Sequence, residues 1–167
     1  RLLSAKDPFS PPVNIIEHPD VRRMLLVQKA YSEGAYALCL YGHSLAEDEQ
    51  TATTEEARVK ASTILNFLTP IIKSWPSEWG PKSNDLAIQV LGGHGYVNEH
   101  PVEMFYRDNR LNPIHDGTTG IQSLDLLRRI VPMNDFAGYH TFLHEMYSTA
   151  ENVNAMPSLQ KFANELN

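Results

Sequence analysis

At 167 residues and 42% hydrophobic side chains, the chain has the size and composition of a folded domain with a core, not of a disordered tract. A formal net charge of −6 and the lack of any Lys/Arg-rich run exclude the basic footprint of a nucleic-acid binder, and no apolar stretch is long enough to span a bilayer. The single cysteine, Cys39, cannot form an internal disulfide. It lies among apolar residues at helical spacing and is expected to be a buried thiol in a reducing compartment.

Residues 1–19 read as a loop, because Pro8, Pro11 and Pro12 bar regular helix. This stretch resembles neither a signal peptide nor a transit sequence, and since it opens at Arg1 in mid-loop the chain is expected to be part of a longer one. From Asp20, a suitable N-cap, Val21, Met24, Leu25, Gln28, Tyr31, Ala35, Leu38, Cys39, Gly42 and Leu45 follow a three- and four-residue spacing, which predicts a long helix to about residue 48. Gly34 and Gly42 are small enough to admit a close neighbour. Thr53 and Glu56 have capping-box spacing and open a second helix, expected to run to about Trp75 with a kink or split at Pro70. Pro76, Gly80 and Pro81 predict a break, and a third helix is expected from Ser83 to Leu91. A short helix from Pro101 to Arg110, one carrying Ile121, Leu124, Leu127 and Ile130, one from Asp135 to Ala150 and a last one from Pro157 complete the expectation. No segment alternates with period two, so the predicted class is all-α.

Two segments carry candidate chemistry. In Gln89-Val-Leu-Gly-Gly-His-Gly-Tyr96, paired glycines at a helix end either cap that helix or let backbone approach a ligand, such as a phosphate. Asp116, in Ile114-His-Asp-Gly-Thr-Thr-Gly-Ile-Gln122, is a turn residue or helix cap on spacing alone, or a carboxylate free to act as a base. Arg107 and Asp108 read as a structural ion pair. His140 and His144 share a helix face, but Thr141 stands where a zinc-protease motif needs glutamate, so no metal site is predicted.

Taken together, Leu86-Ala-Ile-Gln-Val-Leu-Gly-Gly-His-Gly-Tyr-Val97, Pro101-Val-Glu103, Arg107-Asp108 and the block from Ile114 to Gln122 resemble the C-terminal signature of acyl-CoA dehydrogenases. Glu17-His-Pro-Asp-Val-Arg-Arg-Met-Leu-Leu26 and Leu124-Asp-Leu-Leu127 resemble a large-subunit subgroup with an extended C-terminus. The resemblance implies an incomplete up-and-down four-helix bundle over residues 20–131, its first helix missing, and a helical extension over 132–167. It implies FAD as cofactor, with Gln89, Val90, Leu91, Gly92 and Gly93 approaching the adenosine diphosphate end held by a partner subunit. Thr118, Thr119 and Gly120 match the flavin-contacting turn, and Gly117 matches a substrate-contacting position. Asp116 falls where the family most often carries its catalytic glutamate, the base that takes the acyl α-proton while the β-hydride passes to flavin. Its shorter side chain favours a second reading, a dehydrogenase-like subunit with impaired chemistry and an assembly or scaffolding role. The implied partners are an acyl-CoA substrate, an electron-transfer flavoprotein and further copies of the chain in a dimer or tetramer. The implied compartment is the bacterial cytoplasm or the mitochondrial matrix.

Overall fold

The computed structural model describes residues 9, 11–115, 118–154 and 156–166. All regular structure among them is helical, as the sequence predicts. A 3-10 turn (Ile15–Glu17) leads into α1 (Pro19–Thr51) and α2 (Glu55–Leu91), and a second 3-10 turn (Gly92–Gly95) follows. Then come α3 (Val102–Asn109), α4 (Asn112–His115), α5 (Thr119–Asp125), a π-helical turn (Leu126–Ile130), α6 (Ala137–Asn154) and α7 (Gln160–Leu166). Among the described residues no helix is long and apolar enough to cross a membrane.

The chain forms two compact units, and both long helices contribute to each. One unit combines the start of α1, to Leu38, with residues 73–119; the other combines residues 39–72 with residues from 120 onward. In the first, Met24 is buried. Tyr31 meets Trp75 edge-on at 6.4 Å between ring centroids and Trp79 at 4.8 Å. Gly34 admits Trp75, whose Cη2 would lie 3.1 Å from an added Cβ. In the second, Leu45, Ala61, Ile64, Phe67, Leu68 and Ile130 form the core, and Phe142 of α6 packs its ring 5.3 Å from that of Phe67. Gly42 does for Ile72 what Gly34 does for Trp75.

The three- and four-residue stripe along α1 turns all its members but Cys39 inward, with Met24, Gly42 and Leu45 the most buried. Cys39 corrects the expectation of a buried thiol. It is exposed, because one residue beyond Leu38 it stands 100° further round the helix, at the outer edge of that stripe. The helix also starts one residue early, at Pro19, which suits a first helical position, and Asp20 pairs with Arg23 at 2.9 Å instead of capping.

In α2 neither the split at Pro70 nor the break at 76–81 occurs. The predicted second and third helices are one, continuous through Pro70, Pro76 and Pro81. Each proline removes an amide donor, yet Pro70 and Pro81 are buried, and packing outweighs the local cost. Hydroxyls serve carbonyls in the same turns. Thr69 donates to the Leu65 carbonyl at 2.7 Å, and Ser77 donates to those of Lys73 and Ser74 at 2.8 and 3.0 Å. The N-cap is Thr54, whose hydroxyl accepts from the Ala57 amide at 3.2 Å, one residue later than the predicted box.

The C-terminal elements also begin later than expected. Between the π turn and α6, Asn134, Asp135 and Phe136 have φ of 51°, 53° and 63°, one turn of left-handed backbone. The Ala137 amide closes it on the Asn134 carbonyl at 3.1 Å.

Candidate functional site

The first unit carries the predicted site residues among the described ones except Gly120, which belongs to the second. At the end of α2, Gln89 and Leu91 are exposed and Val90 is half-buried. Gly92 stops the helix with φ of 60°, a conformation that costs glycine nothing and other residues about 1 kcal/mol or more. A Cβ added at Gly92 or Gly93 would meet no atom within 4 Å. At Gly95 it would stand 2.7 Å from the Ile88 carbonyl oxygen and 2.9 Å from the Ile88 Cα. Gly95 is therefore glycine because the chain packs on itself there, Gly92 because of its backbone, and Gly93 for neither reason. Bare backbone facing open space leaves room for a ligand to approach the chain closely at this helix end. As the C-terminal end of a helix it presents carbonyl oxygens and a partial negative charge, which suits ribose hydroxyls better than a pyrophosphate.

The other end is built on α3, α4 and the start of α5. Asn109 anchors it to α2, donating from Nδ2 to Asn84 Oδ1 at 2.7 Å and accepting from Asn112 Nδ2 at 2.8 Å. Gly80 leaves room for that amide, which an added Cβ would meet at 2.8 Å. Asn112 opens α4, so these contacts fix the helix that ends at His115, immediately before the predicted base. Asp116 and Gly117 themselves lie outside the described residues. Thr118 is half-buried and its hydroxyl donates to the Ile114 carbonyl at 3.3 Å. Thr119 begins α5 and its hydroxyl donates to Glu78 Oε2 at 3.1 Å. Gly120 is exposed, and a Cβ there would also meet nothing within 4 Å.

Beside this turn, Glu78, Pro81, Lys82, Asp85, Tyr106 and Arg110 line a crevice of about 360 Å³. Glu78 also accepts from Lys82 Nζ at 2.8 Å, and Lys82 lies 3.9 Å over the Trp79 ring. The Lys82 hydrogen bond first, and the Thr119 hydroxyl next, hold the Glu78 carboxyl below its ordinary value. Its interactions thus favour the fold above the ordinary carboxylate range and fade as pH falls through the lowered value. Glu78, Lys82, Asn84 and Asn109 were not among the residues predicted from sequence. Only the Glu78–Lys82 spacing of four signalled any of them.

Arg107 and Asp108 form no ion pair among the described residues, so the predicted pair is absent; both side chains are exposed on α3. His140 and His144 are exposed on α6, and no group of three His, Cys, Asp or Glu side chains placed to hold a metal occurs among the described residues.

Residues 12–131 match the model of the acyl-CoA dehydrogenase C-terminal domain. The chain is 43% identical over 119 residues to the 3-methylmercaptopropionyl-CoA dehydrogenase of Ruegeria pomeroyi, covering 71% of this chain and 20% of that protein. It is 35% identical over 132 residues to a broad-specificity linear acyl-CoA dehydrogenase of Mycobacterium tuberculosis, covering 78% and 22%. A butyryl-CoA dehydrogenase of Syntrophomonas wolfei is 35% identical over 140 residues, covering 84% and 23%. The chain thus spans about a fifth of the length of the curated relatives it matches. A family match over this much of the chain, through both halves of the predicted site, means that the chain belongs to the acyl-CoA dehydrogenase family, within its C-terminal domain.

Proposed function

We propose that the intact protein is an FAD-dependent acyl-CoA dehydrogenase that introduces an α,β double bond into an acyl-CoA thioester. The observation that carries this reading is glycine backbone, at Gly93 and Gly120, that the fold does not require and that faces open space within the family-matched segment. Each relative named above is a dehydrogenase of a CoA thioester by name. In this reading Asp116 takes the α-proton onto its carboxylate. Bound flavin supplies the acceptor for the β-hydride. Thr118, Thr119 and Gly120 line the flavin, and Gly117 contacts the substrate. Gln89 to Gly93 approach the adenosine end of a partner subunit's FAD, so the working form is a homodimer or tetramer, with an electron-transfer flavoprotein as acceptor.

Aspartate is one methylene shorter than glutamate, and a misplacement of about 1 Å can cost on the order of 10²-fold in rate. Anaerobic addition of acyl-CoA thioesters of graded chain length to the intact flavoprotein should bleach its visible absorbance. Asp116→Asn should stop the bleaching while FAD stays bound, because an amide cannot accept the proton. Asp116→Glu should accelerate it if reach is limiting. A flavoprotein that no acyl-CoA bleaches would favour the assembly subunit, whereas unchanged rates in Asp116→Asn would place the base elsewhere.

A further inference from the structure

Glu78 uses both carboxylate oxygens. Oε2 accepts the Thr119 hydroxyl at 3.1 Å and Oε1 accepts Lys82 Nζ at 2.8 Å. Lys82 is itself held by the Trp79 ring beneath it, 3.9 Å from the centroid. The chain of contacts runs from an aromatic cluster on α2 to the first residue of α5. An ionised carboxylate only accepts, so the single Thr119 hydroxyl proton is committed to Glu78. The other side of that oxygen is left with acceptor lone pairs.

We propose that Glu78 is a positioning residue for the cofactor: braced by Lys82, it orients Thr119 so that the hydroxyl faces the flavin as a hydrogen-bond acceptor. The inference rests on the reading of residues 118–120 as the flavin-facing turn. Glu78 does not touch the cofactor and acts through Thr119. Its side chain is 39% exposed and that of Lys82 48%, so the ion pair by itself adds little to stability. A purely structural surface pair would leave the cofactor unaffected.

The test uses the intact protein stripped of FAD and titrated with FAD, with affinity and the visible flavin spectrum as readouts. Glu78→Ala should weaken FAD binding about tenfold and shift the flavin band, the scale of one lost charge-assisted hydrogen bond. Thermal midpoints of the apoproteins should stay close together. Glu78→Gln, whose amide oxygen still accepts from Thr119, should recover most of the affinity. In a Thr119→Ala background, Glu78→Ala should add less than about twofold, because its route to the flavin is already gone. If Thr119→Ala weakens FAD binding and Glu78→Ala does not, or if Glu78→Ala costs the same in both backgrounds, the positioning role is overturned while the flavin-facing turn stands. If Thr119→Ala itself changes neither affinity nor spectrum, the flavin-facing reading falls and the role of Glu78 falls with it.

Discussion

The glycines near the site separate two kinds of constraint that a sequence writes with the same letter. Gly95 is closed against backbone of Ile88, which cannot move aside as a side-chain tip could. Gly93 stands next to nothing and has ordinary φ. Gly95→Ala should therefore destabilise the protein by about 1–3 kcal/mol, as overpacking does. Gly93→Ala should change stability by less than about 0.5 kcal/mol, since it meets no atom and reduces the freedom of the unfolded chain. If the open face of Gly93 belongs to FAD, the same substitution should weaken cofactor binding although the fold is intact. Urea unfolding and FAD titration of both variants separate the cases. A Gly93→Ala protein that binds FAD as tightly as the parent would remove residues 89–93 from the cofactor site. The glycine pair was legible as a helix end from spacing, but which of these glycines the chain's own packing requires was not, because the contact of Gly95 with Ile88 appears only in the folded turn.

At the scale of elements, legibility followed the rules that win locally. The stripe on α1 is long, and its period alone gave the helix and its inward face. On α2 the proline rule was overridden, because burial of Pro70 and Pro81 depends on neighbours distant in sequence. The same holds for the site. Its glycine and Asp-Gly-Thr-Thr segments stand out in the sequence, whereas Glu78 meets Thr119 across 41 residues and nothing nearby announces that contact. The connection into α6 was equally hidden. Asparagine and aspartate tolerate left-handed backbone, but Phe136 at φ 63° carries a Cβ penalty of roughly 1–2 kcal/mol. The residue is 47% exposed, so truncation also forfeits the packing of the covered half of the ring. Phe136→Gly should therefore change stability by less than about 1 kcal/mol, because relief of the Cβ penalty is offset by backbone entropy in the unfolded state and by the lost ring packing. The midpoint of urea denaturation at unchanged slope measures it. A midpoint lowered by the equivalent of more than about 1 kcal/mol would mean that the phenyl ring contributes more than its exposure indicates.

For the whole molecule, the informative feature is apolar surface that the chain does not cover. Ile121, Leu124 and Leu127 follow one another at intervals of three along α5 and the π turn, and they are 65%, 53% and 66% exposed. On α1, Leu26 is as exposed as Leu127 and lines, with Ile16 and Leu25, a crevice of about 410 Å³. Burying one such leucine is worth roughly 1.5–3 kcal/mol, so several side chains at helical spacing make a face that water disfavours. The expectation of unpartnered helix faces came from the sequence, through the resemblance to a bundle with one helix missing. Its location could not, because the period of three along this segment is equally that of a buried helix. The 167-residue chain expressed by itself should accordingly self-associate at micromolar concentration and enhance the fluorescence of a hydrophobic dye. Leu124→Lys with Leu127→Lys should reduce both effects without lowering helical content, because these two side chains lie outside the second unit's core. In the intact protein the same pair should instead lower the thermal midpoint, since there the face is expected to be covered. Sedimentation velocity and dye titration decide the first arm, and a melting curve decides the second. A monodisperse monomer that leaves the dye dark would show that this face tolerates water, and the case for a covering partner would end there.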